Sequence, residues 1–184
     1  MLVAEHLQLL YHSEVRWLSR GNILTRFYEL KEEIAAFLSE TNSLYAELFD
    51  IKIWLAHVAY LVDVFEHLNT LNLSLQGKGH NKFEQSDKVN AFKKKIALWE
   101  NRVSKDRLKM FPNAHHEILQ LDTVADKNAL KSSITAHLGK LQSRFHNYFP
   151  ETSSEDEQWV RDPFGIDLES VALPCNEENQ LIEL

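Results

Sequence analysis

IKIWLAHVAYLVDVF, residues 51–65, has only Lys52, His57 and Asp63 as strongly polar residues. Lys52, Ala56, Ala59, Asp63 and His67 recur every three or four positions, which on a helix gives a narrow stripe of polar and small side chains on an otherwise apolar rod. A helix apolar over most of its girth belongs in the middle of a bundle. Fifteen residues carrying two charges are too short and too polar to cross a bilayer. The surrounding pattern extends this helix over residues 43–75, about 50 Å if unbroken.

Working outward, Ile23, Phe27, Leu30, Ile34 and Phe37 step by 4, 3, 4 and 3, which predicts one helix from Asn22 to about Ser39. Arg20-Gly21-Asn22 reads as a stop and an N-cap before it, and Thr41-Asn42-Ser43 as the break after it. Residues 76–86, with Gly77 and Gly79, read as a loop. Val89, Phe92, Ile96, Trp99 and Val103 predict a third helix to about Ser104. Phe111-Pro112-Asn113 breaks the chain, with Asn113 placed to cap a short helix through Leu121. Leu130, Ile134, Leu138, Leu141, Phe145 and Tyr148 predict a final helix stopped by Pro150.

Composition agrees. Five glycines and four prolines in 184 residues suit long helices, and 44% hydrophobic residues suit a packed core. The single cysteine, Cys175, excludes an internal disulfide framework and points to a reducing compartment. MLVAEHLQLLYH, with no basic start, reads without a secretory signal. Charge is uneven. Residues 151–184 hold ten acids against Arg161 alone, a balance of −9, so residues 1–150 carry +2 of the total −7. The body can approach a polyanion; the acidic tail cannot. In that tail Asn176 reads as a cap with Glu177 and Glu178 in a first turn, and residues Leu181 to Leu184 as the opening of a helix expected to be cut short. The resulting division is a lead-in at 1–21, a helical bundle at 22–150 and an acidic irregular tail at 151–184.

Few motifs carry chemistry. Lys88, Lys95 and Arg102, spaced by seven, form one row along the third helix, with Lys93, Lys94, Lys105, Arg107 and Lys109 nearby. Such a row tracks phosphates or is a solvated face. His115-His116 with His12, His80 and Cys175 matches no metal spacing, since adjacent helical residues point about 100° apart. His57 reads as a satisfied core histidine. Asp63 with Glu66 and Glu32 with Glu33 are pairs of a kind common on helix surfaces, with no cleft inferable for acid–base work. Gly77-Lys78-Gly79 lacks the rest of a phosphate-binding loop.

The blocks LYHSEVRWLSRGNILTRFYELKEEIAAFL (10–38), AYLVDVFEHLNTLNLSLQGKG (59–79), KVNAFKKKIALWENRV (88–103), QWVRDPF (158–164) and EENQLIEL (177–184), in this order, resemble proteins descended from hAT-superfamily DNA transposases. The likeness is to the Charlie/Buster type, which includes some zinc finger BED-domain proteins and the transposase-like part of a general transcription factor II-I repeat protein. In that family a helical insertion interrupts an RNase H-like domain, and the Arg-Trp pair lies near the start of the insertion. The resemblance therefore implies an all-α fold, a four- to five-helix bundle matching that insertion, with any strand confined to residues 10–18 or 158–172. It implies that Arg16 contacts phosphate or carboxylate and that Trp17 stacks on a displaced base; the plain alternative is a Trp17 packed into the bundle. The family's cleaving acids match no residue here. The expectation is thus a catalytically inactive, transposase-derived binding protein without cofactor, metal, small-molecule substrate or membrane contact. It would act in the nucleus on a chromatin-associated protein or DNA, or on a second copy of itself, with transcriptional regulation as its broad role. Two alternatives stand beside it: a piece of an hAT transposase whose acids lie elsewhere, and a relic without a selected role.

Overall fold

The computed structural model describes residues 17–76 and 82–150. Within them the chain is all α: α1 (Trp17–Glu29), α2 (Lys31–Glu40), a 3-10 helix (Ala46–Asp50), α3 (Lys52–Leu75), α4 (Lys82–Ser104), α5 (Pro112–Gln120) and α6 (Val124–Tyr148). Two compact units divide at residue 143/144. In the second, the described residues are 144–150, where the rings of Phe145 and Phe149 lie 5.8 Å apart. Of the segments named above for strand content, 10–18 and 158–172, residues 17 and 18 open α1 and are helical, and the rest lie outside the described residues, as does the helix start at Asn176.

α3 is the centre of the first unit, packed against α1, α4 and most extensively α5. The middle of the stripe of small and polar residues is as buried as the apolar side chains around it, while its first member, Lys52, is exposed. Ala56 and Ala59 are fully buried and Asp63 is 1% exposed, whereas Leu61 on another face is 37% exposed. Small side chains let neighbouring backbones approach closely, and that approach buries the stripe. The same logic explains Gly21. It does not stop a helix; α1 runs through Arg20-Gly21-Asn22. A Cβ at Gly21 would lie 2.6 Å from Asn69 Nδ2 on α3, so glycine sits where α1 crosses close to α3.

The helix expected over 22–39 is two segments with a kink at Leu30 (φ −94°, ψ 17°). Hydrogen bonds bridge the kink, from Leu30 N–H to the Arg26 carbonyl (3.1 Å) and from Ile34 N–H to the Leu30 carbonyl (2.9 Å). The bend divides the apolar face. Leu30 is buried, but α2 contains no buried residue and its Phe37 is 63% exposed. α2 then ends in a Schellman closure: Ser43 N–H to the Leu38 carbonyl and Asn42 N–H to that of Ser39, with Asn42 at φ 52°. Asparagine tolerates this left-handed conformation better than most residues. The helix expected from residue 43 begins at Lys52, because the 3-10 helix occupies 46–50.

α4 begins at Lys82, so residues 82–86 of the expected loop are helix, and its core follows the predicted pattern. Val89, Phe92, Ile96, Trp99 and Val103 are all buried, each contributing about 1.5–3 kcal/mol. Its Trp99 ring meets Phe111 (5.5 Å), Phe92 (5.7 Å) and His67 (4.5 Å), and Tyr60 meets Phe111 edge-on at 5.2 Å. Phe111 is completely buried, so the break before α5 is itself part of the core. From α6, Leu130, Ile134 and Leu138 are fully buried, and His137 Nδ1 lies 2.9 Å from the Tyr60 hydroxyl. α6 begins at Val124, earlier than the apolar period indicates. Thr123 caps it, accepting from Asp126 N–H (3.0 Å) and donating to the Asp126 carboxylate (2.7 Å).

α5 is not capped by Asn113. Its cap comes from α3. Asp63 Oδ1 accepts from Asn113 N–H (3.3 Å) and from the Asn113 side-chain amide (2.8 Å), and Asp63 Oδ2 accepts from Ala114 N–H (2.9 Å). A carboxylate at a helix N-terminus satisfies donors that the helix leaves open and complements its dipole. Burial pushes the Asp63 carboxyl above its ordinary range, against the three donors that pull it down. α5 is held from the other side by Glu117, itself 6% exposed, whose Oε1 accepts from Tyr28 Oη (2.6 Å) and Lys31 Nζ (2.7 Å). Burial pushes the Glu117 carboxyl up, but these two hydrogen bonds and the Lys31 charge outweigh it and hold the carboxyl below its usual value.

Two outcomes follow from these anchors. Asp63→Asn places an amide N–H against at least one donor, and we expect a loss of about 1–3 kcal/mol in denaturant unfolding at pH 7; an unchanged midpoint would remove Asp63 from this role. Because the Glu117 carboxyl is held below its unfolded value, its contribution is complete above about pH 4.5 and is lost as pH falls through the folded value. Asp63, raised, acts in the opposite sense as pH climbs past its unfolded value. Subtracting the stability of Glu117→Gln from that of wild type between pH 3 and 7 isolates Glu117, and the difference should shrink toward acid.

Candidate functional site

The basic row on α4 does not present three equally exposed side chains. At about 100° per residue, Lys88, Lys95 and Arg102 drift steadily away from the buried face. Lys88, nearest the core edge, is half-buried, and its Nζ donates to the Ser74 carbonyl at 2.7 Å. Lys95 and Arg102 are exposed. Lys93, counted with the basic cluster from sequence, is 5% exposed. Arg16 lies outside the described residues. Trp17 is the first residue of α1, and its side chain is also outside them.

Arg102 instead joins residues beyond the helix. A concavity of about 370 Å³ is lined by Arg102, Asp106, Arg107, Leu108, Lys109, Met110 and His115. It forms where α4 ends. Arg107 N–H bonds the Arg102 carbonyl (2.9 Å) and Asp106 N–H bonds the Val103 carbonyl (3.1 Å), with Asp106 at φ 59°. This is a second Schellman closure, with aspartate where glycine is usual. The sequence shows the cations but not their convergence; an Asp in the left-handed position gives only a faint signal of the turn.

The other unusual surface is the stretch from α2 to the start of α3. Phe37 (63% exposed), Leu44 (89%), Tyr45 (67%) and Ile51 (45%) project from it, and neither α2 nor the 3-10 helix holds a buried residue. Phe27, Phe49 and Trp54 form a ring cluster beneath, with centroids 5.4–6.3 Å apart. Acids surround the exposed apolar groups. Glu33 and Glu40 stand four residues before and three after Phe37, hence beside it on the helix. Glu32, Glu47 and Asp50 are also exposed. The two lysines of this stretch are occupied, Lys31 with Glu117 and Lys52 with Asp122 (2.6 Å). Periodicity alone places Phe37 in the core; the kink at Leu30 turns it out.

For metal chemistry, among the described residues no group of three or more His, Cys, Asp or Glu side chains is arranged to hold an ion. His12, His80 and Cys175 lie outside them. His115 lines the concavity. His57 is half-buried, with Nδ1 2.7 Å from the Ile53 carbonyl. Asp63 and Glu66 form no acid–base pair, because Asp63 is committed to α5. No described helix is long and apolar enough to cross a membrane.

No solved structure matches the chain. Residues 2–104 match the sequence model of the FAM200/GTF2IRD2 helical domain, a stretch that reaches through α4 and stops before α5. That match covers more than half of the sequence, and the chain belongs to this transposase-derived family of helical domains.

Proposed function

We propose that the chain is a non-catalytic binding module of hAT, Charlie/Buster-type ancestry that works in the nucleus by docking a chromatin-associated protein, with transcriptional regulation as its role. The observation that carries the docking reading is the α2-to-α3 surface, where four large apolar side chains face solvent within one short stretch. Aromatic side chains exposed in this way are the kind that anchor protein interfaces. The surrounding carboxylates select the partner: a basic amphipathic helix would set its apolar stripe on Phe37, Leu44 and Tyr45 and its lysines or arginines against Glu33, Glu40 and Glu47. A second copy of this chain would bring the same acids to the face, so self-association through it is opposed by charge.

The basic row favours DNA less. Of its three members only Lys95 and Arg102 face solvent, and Lys88 is turned to Ser74. The nuclear site and the ancestry rest on the family resemblance and on the transposase-derived domain to which the chain belongs.

A titration separates these readings. A designed Leu/Lys amphipathic helix should bind the chain, a Leu/Glu helix of the same length should not, and Phe37→Ser with Tyr45→Ser should weaken binding about tenfold or more. Hairpin and duplex DNA, titrated at two salt concentrations, should bind poorly. Equal binding of the two peptides, or tight salt-dependent DNA binding that survives the double substitution, would overturn the proposal.

A further inference from the structure

The geometry points to a binding site for a compact phosphate-type oxyanion in the concavity at the end of α4, held by Arg102, Arg107 and Lys109. A Schellman closure brings the side chains at its first and last positions together, and that pair is ordinarily apolar. Here the two positions are Arg102 and Arg107. Like charges set side by side by the backbone oppose the fold by repulsion, unless an anion lies between them. Lys109 and His115 line the same concavity. Among the described residues no ion pair engages Arg102, Arg107 or Lys109. Asp106, the one acid in the lining, is drawn to Lys131 Nζ at 2.5 Å. Among the described residues, the lining therefore carries three cations without an ion-pair partner and one carboxylate that has one.

Two features select the ligand. The cations converge on one concavity of about 370 Å³ and do not extend as an exposed row, which suits a discrete dianion better than a nucleic-acid backbone. Two guanidinium groups present planar forks that match phosphoryl oxygens, with the lysine as a point charge. Leu108 and Met110 add an apolar margin, which suits a phosphoryl group carried on an organic chain. The shared chemistry is that of a phosphomonoester or pyrophosphate, either free or borne on a phosphorylated peptide.

The test uses the full chain at low salt. Inorganic phosphate, pyrophosphate, and a phosphoserine peptide beside its unphosphorylated form are titrated while the backbone N–H signals of Arg102, Asp106, Arg107 and Lys109 are followed. Saturable shifts with pyrophosphate alone identify a free oxyanion as the ligand, and stronger shifts with the phosphopeptide identify a carried phosphoryl group; either supports the site. Arg102→Gln with Arg107→Gln should lower affinity at least about tenfold. It should also abolish the rise in melting temperature that the anion gives wild type. Lys94→Gln, an exposed cation on the same helix but outside the concavity, should leave both readings unchanged. Because Arg102 and Arg107 are exposed, the double variant should keep its helical circular dichroism, which separates lost binding from lost folding. No saturable shift with any of the three ligands, or equal losses in the Lys94→Gln control, would overturn the site. So would binding confined to duplex DNA.

Discussion

Asp63 sets the terms on which this domain packs. A carboxylate buried to 1% exposure is costly without donors, and its three donors all come from the first residues of α5. The cost is met only if α5 begins at Pro112 and lies against α3, so one side chain fixes the position and start of a helix fifty residues further on. Glu117 extends the constraint. From the same short helix it reaches Tyr28 on α1 and Lys31 on α2, so α5 ties α3 to the helices that precede it. Ala56 and Ala59 on α3 and Gly21 on α1 are the steric counterpart, keeping the backbones close enough for these polar anchors to meet.

That constraint shapes the surfaces left for binding. With α5 on the small-residue side of α3 and α1 meeting α3 at Asn69 and Trp54, α2 turns away at Leu30 and packs with the 3-10 helix. Phe37, Leu44, Tyr45 and Ile51 then face solvent, amid acids that Lys31 and Lys52 cannot neutralise because both are engaged elsewhere. At the far end of α4 the chain must turn sharply to deliver the buried Phe111 into the core. The left-handed Asp106 makes that turn and sets two arginines at its corners. Both candidate surfaces are thus by-products of how the core is closed: one apolar and acidic, the other concave and basic.

How far the sequence discloses this depends on the range of the interaction. The core positions of α4 are legible, because a 3–4 period is local and each of them is buried; its opening at 82–86, exposed or half-buried and without an apolar step, reads as loop. The all-α class is legible for the same reason, as is the break at Thr41-Asn42-Ser43. The T-x-x-D spacing at 123–126 is an equally local start signal, which apolar periodicity passes over in placing the last helix too late. The kink at Leu30 leaves no mark, since the hydrophobic step continues unbroken through it. Gly21 and Asp63 mislead for a single reason. A glycine resembles a stop and an aspartate resembles a surface charge until the crossing helix is known. Among the candidate contacts, the cations at 88, 95 and 102 are visible as a row. Whether each one faces solvent, a carbonyl or a concavity depends on where α3 and the 105–111 turn lie. Arg16 falls outside the described residues, as does the side chain of Trp17.

Amide hydrogen exchange in the native state tests the account at its root. The first N–H groups of a helix normally exchange fast, having no carbonyl partner within the helix. If Asp63 holds α5 as described, the Ala114 N–H exchanges only with opening of the core, with protection comparable to amides in the buried middle of α3. An Ala114 N–H that exchanges as freely as an ordinary helix start, while the middle of α3 stays protected, would contradict it.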